Sequence, residues 1–240
     1  MYPSGMQRFF LAPQDFTESA VRISQPEIVH QMKNVLRMKP GARFIALDNL
    51  GFEFECKIND ISDSQIDAQI VEKRVNAAEP QLFVILYQAM PKKMELFEMI
   101  LQKCTEIGVS EFVPMFSEFC ERESLSKRER LARILREAAE QCERGKIPTL
   151  KKEIKFAEAL NQDLSFPVLL HSRGENSPLR LQTEKANQIK RCEIFIGPEG
   201  GFSEKEVNAA QSKNFRICSL NSRILRTETS AISAATILLQ

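Results

Sequence analysis

The sequence predicts an α/β protein in two parts: a small, mostly β module over residues 1–74 and a larger parallel-sheet domain over residues 75–240. Three observations predict it. Short apolar runs broken by turn residues fill the first part. Strands alternate with long amphipathic helices in the second. The stretch 75–80, ending in Pro80, reads as the linker between the two patterns.

In the first part, residues 7–11 read as a strand. Residues 26–38 read as a helix with Ile28, Val29, Met32, Val35 and Leu36 on one side. Pro40-Gly41 breaks the chain. Strands follow at 43–48, 52–58 and 65–71, with Asn49-Leu50-Gly51 and Asn59-Asp60 as turns. Such spacing predicts a small barrel or curled sheet rather than a βαβ unit.

In the second part, 82–87 is a buried strand. The helix 92–107 carries Phe97, Ile100, Leu101, Cys104 and Ile107 in one stripe, and Gly108 ends it. A brief strand covers 112–114. Ser126 and Glu129 form a capping pattern ahead of a helix striped by Leu131, Ile134, Leu135, Ala138 and Cys142, which Gly145 and Pro148 stop. Strands are expected at 167–171, 192–196 and 216–220. Ser203 with Glu206 caps another helix, and 229–239 is the last. Strand and helix in alternation imply a mostly parallel sheet covered on both faces.

Composition bounds the function. Hydrophobic residues make up 43% and charged residues 27%, a globular balance. No apolar run approaches the ~20 residues of a membrane span. The start 1–6 lacks a basic, apolar signal pattern, which predicts a cytoplasmic protein. Lys and Arg number 33 against 32 Asp and Glu, net +1, which excludes a globally basic nucleic-acid binder. A local basic face survives that test: residues 127–146 hold seven Lys/Arg and four Glu, and read either as such a face or as a solvated helix with Glu/Arg pairs. The six cysteines form no CxxC pair and only His30 and His171 could join them, so neither a metal site nor a disulfide framework is expected.

Two stretches concentrate chemistry. In the first, a buried strand enters Gly197, Pro198, Glu199, Gly200 and Gly201 before the capped helix. A glycine turn at the carboxyl end of a parallel strand is where α/β sheets bind ligands. Its spacing fits neither the dinucleotide fingerprint nor the P-loop. In the second, Arg223, Arg226, Thr227, Glu228 and Thr229 fall within seven residues after a strand, and Thr227 or Thr229 can cap the final helix. Two arginines ahead of a helix N-terminus favour an anion. His171, at a strand end, reads as structural before catalytic.

These residues carry a resemblance. Met6-Gln-Arg-Phe-Phe10, Gln102-Lys-Cys-Thr-Glu-Ile-Gly-Val109, Glu137-Ala-Ala-Glu-Gln141, Gly197-Pro-Glu-Gly-Gly-Phe202 and Arg223-Ile-Leu-Arg-Thr-Glu-Thr229 occur in order. Together they resemble the RsmE family, bacterial 16S ribosomal RNA uridine-N3 methyltransferases of the SPOUT superfamily. The resemblance implies an N-terminal PUA-like β-barrel and a C-terminal α/β SPOUT domain with a deep trefoil knot. It also implies S-adenosyl-L-methionine as cofactor, a homodimer, and 16S ribosomal RNA of the small subunit as partner. The chain departs from the family's common pattern at Asn221, where Gly is usual, and at Phe119, where Arg usually follows Ser-Glu.

Carried onto this chain, the resemblance implies a cofactor site of Leu170, His171, Gly197, Pro198, Glu199, Gly200, Gly201, Leu220, Ile224, Leu225, Arg226, Thr227 and Thr229. Arg226 and Arg8 are the candidates to stabilise charge on the uracil, and Glu199 or Glu228 to take the N3 proton. Arg8, Lys33, Arg37, Arg133 and Arg136 are the candidate RNA contacts. Two rivals stay open: another SPOUT-type methyltransferase acting on a ribose or a different base nitrogen, and a non-catalytic PUA-like RNA-binding factor.

Overall fold

A computed structural model describes residues 6–174, 176–220 and 222–239. The unpatterned start 1–5 and the Asn221 turn lie outside the described residues. The chain divides into two units: 1–79 together with 139–147, and 80–138 together with 148–240.

The first unit is built on strands β1 (Arg8–Phe10), β2 (Ala20–Ile23), β3 (Arg43–Leu47), β4 (Phe52–Ile61) and β5 (Ile66–Val75). Their order is β1-β3-β4-β5-β2, parallel between β1 and β3 and antiparallel elsewhere. Phe9, Val21, Ile23, Phe44, Phe54, Ile58 and Ile66 turn one face into a core, and helix α1 (Pro26–His30) adds Ile28 and Val29 to it. The single helix expected over 26–38 instead passes into a π-helical turn, Gln31–Val35, which keeps Met32 wholly buried.

Two further readings change. Asn59-Asp60 is not a turn: both residues lie within β4, where the register slips between Ile58 and Asp60 as a bulge. The chain reverses after it, where Ser62 N and its hydroxyl both donate to Gln65 O. Strand β2, absent from the sequence reading, pairs with β5 on one edge.

The second unit carries β6 (Phe83–Ala89), β7 (Glu111–Phe116), β8 (Thr149–Leu150), β9 (Ile154–Lys155), β10 (Pro167–Leu170), β11 (Ser177–Pro178), β12 (Arg191–Ile196) and β13 (Arg216–Ser219). All pairings are parallel, in the order β11-β13-β10-β12-β6-β7-β8, with β9 also on β7. The helices are α2 (Met94–Ile107), α3 (Arg128–Gln141, of which 139–141 belong to the first unit), α4 (Phe156–Ala159), α5 (Thr183–Ile189), α6 (Glu204–Ser212) and α7 (Thr227–Leu239).

Each sheet face has its own packing. Ile85, Tyr87, Leu169, Phe195, Phe202 and Phe215 share one core, with Tyr87 stacked on Phe195 at 4.3 Å. On the opposite face, α2 and α7 pack together, and α7 reaches β12 and β6. Gly108 closes α2 at φ 119, its N–H donating to Cys104 O and Thr105 O. Helix α3 begins at Arg128, after Lys127 at φ 59, so Ser126 stands one residue outside the capping position assigned to it. Its stripe is buried as expected at Leu131, Leu135 and Ala138.

Candidate active site

Strands β10, β12 and β13 are adjacent and parallel, so their carboxyl ends lie on one edge of the sheet. A cavity of about 590 Å³ opens there. Leu170 and His171 contribute the end of β10, and Gly197, Pro198, Glu199, Gly200 and Gly201 the turn after β12. Leu220, Ile224, Leu225 and Thr227 come from the chain between β13 and α7. Two sequence candidates, Arg226 and Thr229, are exposed residues beside this wall and do not line the cavity.

The glycines are needed for space. A Cβ on Gly197 would lie 2.9 Å from the backbone carbon of Gly201. The turn folds back through Gly201 N–H donating to Pro198 O at 2.9 Å, with Gly201 at φ 74. Ser203 then caps α6 reciprocally with Glu206, as the sequence indicates.

Helix α7 opens at Thr227 itself. The Thr227 hydroxyl donates to Gly197 O at 2.6 Å and accepts from Gln88 Nε2 at 2.9 Å. It ties the helix start to the glycine turn and to β6, in place of the capping role open to it in sequence. Thr229 lies within the helix, and Ser230 N–H donates to Arg226 O. Gln88, fully buried, was missed in the sequence. Its signal was a lone amide one residue before the end of an otherwise apolar strand, and such a group must find a partner.

Glu199 faces the cavity, and its carboxylate accepts from Lys92 N–H at 3.1 Å. Glu228 sits half-buried in the first turn of α7 and does not line the cavity. Burial, then the nearby Arg173 charge, hold the His171 imidazole below its ordinary range. The Cys218 thiol in the cavity wall is pushed up to about 11 by burial, so it is neutral and no nucleophile. Among the described residues, no cluster of three His, Cys, Asp or Glu could hold a metal ion.

The basic candidates divide. Arg8 is buried in the first unit, donating to Glu53 at 2.9 Å and Glu143 at 2.8 Å. Lys33 pairs with Asp63, and its ammonium lowers that carboxyl. Arg37 is exposed at φ 52. On α3, Arg128 pairs with Glu153 and Arg130 with Glu98, while Arg133, 65% exposed, has Glu137 at 3.9 Å. Arg136 is exposed on the same helix.

Comparison with known proteins agrees with this architecture. Residues 78–239 match the RNA methyltransferase domain family, and residues 25–71 match the RNA methyltransferase PUA domain. The chain is 32% identical over 242 residues to ribosomal RNA small subunit methyltransferase E of Bacillus subtilis, covering 95% of this chain and 94% of that one. It is 32% identical to the Synechocystis protein of the same name, covering 92% and 73%. The crystal structure of ribosomal RNA small subunit methyltransferase E from Neisseria gonorrhoeae, bound to S-adenosyl methionine, superposes with a TM-score of 0.85 at 26% identity, covering 96% and 95%.

Proposed function

Because this chain belongs to the ribosomal RNA small subunit methyltransferase E family, we propose that it methylates N3 of a uridine in 16S ribosomal RNA, with S-adenosyl-L-methionine as donor. The carrying observation is the glycine-walled cavity across three parallel strand ends. About 590 Å³ suits a nucleoside-sized ligand, since such sites commonly span about 300–1,000 Å³. Gly197, where no Cβ fits, gives the ligand a backbone wall. Leu170, Leu220 and Leu225 add apolar surface for a purine.

When bound, the cofactor supplies an electrophilic methyl on a sulfonium. The protein's share is to hold the acceptor in line, exclude water and manage the N3 proton. Arg226, exposed between the cavity-lining Leu225 and Thr227, is assigned the stabilisation of negative charge on the uracil. Of the two carboxylates, Glu199 lines the cavity, and we assign it the proton from N3. We assign Arg8 a structural role in place of catalysis or RNA contact, because its Nη1 and Nη2 donate to Glu53 and Glu143.

The reading extends to a trefoil knot, a homodimer and the cytoplasm. Strand β10 lies between β12 and β13, and the chain leaving β13 returns to lay α7 on α2, β12 and β6, which supports a threaded path. Ile232, Ile237 and Leu239 of α7 stay half-exposed, which supports a second copy against them. None of the described helices is long and apolar enough to cross a membrane.

Calorimetry with S-adenosylmethionine and mass spectrometry of treated 16S RNA test the function. Binding together with N3-methyluridine is expected. No cofactor affinity would favour a pure RNA-binding factor, and a methylated ribose would favour a different methyltransferase.

His171 gives the binding a pH dependence. Its pKa is depressed, so it is neutral above about 6.5 and gains a proton only at more acid pH. A protonated ring in the cavity wall repels the sulfonium. Cofactor affinity should therefore be flat above about pH 6.5 and fall below it. His171→Asn should remove that fall. An unchanged acid limb in the variant would assign it elsewhere.

For the RNA footprint, Arg133 on α3 has Glu137 only at 3.9 Å and Arg136 is exposed on the same helix, while Lys33 and Arg37 are separate candidate contacts on the first unit. Arg133→Ala should flatten the salt dependence of RNA binding by about one unit of slope. Arg130→Ala, whose cation already holds Glu98, should leave the slope nearly unchanged. Equal slopes for both variants would make α3 a solvated face.

A further inference from the structure

The segment 117–122, between β7 and α3, is fastened at several points. One oxygen of Glu206 accepts from Glu118 N–H at 2.9 Å while the other accepts from Ser203 N–H at 3.0 Å. Arg122 Nε donates to Lys92 O at 2.9 Å, and the Lys92 ammonium pairs with Glu121. Lys92 N–H in turn donates to Glu199 in the glycine turn. Between these tethers stands Phe119. Its side chain packs on Gly200, where an added Cβ would come within 3.0 Å of Phe119 Cβ. Phe119 lines the cavity yet remains 47% exposed, and Ile224, 76% exposed, lines the same cavity.

A ring held in place by polar tethers and half open to solvent is a platform prepared before anything binds. We infer that Phe119 stacks on the pyrimidine that enters the cavity. The inference rests on the proposed methyl transfer at this site. A base must leave its stack to present N3, and proteins hold splayed bases on aromatic faces. Gly200 makes the platform possible, because a side chain there would push the ring aside. Where an arginine would grip phosphate, the phenyl ring carries no charge and releases no counterions. Its contribution should therefore be independent of salt.

The test uses the full chain, with small subunits or naked 16S RNA lacking the methylation, whichever the unmodified protein methylates. Phe119→Leu keeps the apolar contact with Gly200 but removes the π face. It should raise the RNA concentration for half-maximal rate by about 5- to 150-fold, equally at low and high salt. Phe119→Tyr should stay near the unmodified protein. Cofactor affinity by calorimetry should be unchanged in both. The inference is overturned if leucine serves as well as phenylalanine, if the loss grows as salt falls, or if the loss lies in cofactor affinity instead. An unmodified protein that binds no S-adenosylmethionine would sink the methyl-transfer reading itself, and that result is read before any substitution is made.

Discussion

Replacing Arg226 with alanine is expected to slow single-turnover methylation by about 10²–10³-fold at saturating RNA, with only a modest loss of cofactor affinity. Arg226 lies between Leu225 and Thr227, both in the cavity wall, and its carbonyl receives the Ser230 N–H of the first turn of α7. Its neighbour Thr227 is bound on two sides, to Gly197 O and to Gln88 Nε2. The backbone that carries the guanidinium is thus fixed before substrate arrives, which is what makes a charge effective on a transition state. A charge that acts only as the uracil becomes anionic should change the rate more than the binding. Arg226→Lys should fall between, because an ammonium keeps the charge and loses the planar fork. A variant Arg226→Ala with the full single-turnover rate would end the assignment.

What was legible in sequence was what is local. The glycine turn, the Ser203–Glu206 cap and the Gly108 stop each act within a few residues, and each is present. The long strands of the parallel sheet announced themselves as apolar runs. Strands β8, β9 and β11 did not, because two residues carry no period. The less legible features depend on partners far apart in the chain. Gln88 meets Thr227 139 residues later. Arg130 finds Glu98 across 32 residues, so one of the cations counted in the 127–146 run is held in an ion pair. Phe119 read only as a departure from a family pattern, and its place against Gly200 requires the fold.

Arg8 shows the same effect most strongly, and Arg8→Ala is expected to destabilise the first unit by about 3 kcal/mol. Its side chain is only 8% exposed, and it bridges Glu53 on β4, 9% exposed, to Glu143 in the 139–147 segment. Asn76 joins the same network, donating to Glu53 at 3.0 Å and to Glu143 O at 2.9 Å. Gly145 follows from that crowding, since a Cβ there would lie 2.6 Å from Asn76 Cβ. Removing the guanidinium leaves the Glu53 carboxylate buried with Asn76 and, at 3.9 Å, Arg74 Nε. A buried charge without its partner is the costly state, more so than the loss of the pair as such. Adding Glu53→Gln to Arg8→Ala should therefore recover about 1 kcal/mol or more, a non-additivity that a solvent-facing arginine would not show. Urea denaturation of the full chain, read on the transition of the first unit, measures both variants. If Arg8→Ala instead leaves stability intact and weakens RNA binding, Arg8 is an RNA contact after all and the network is incidental.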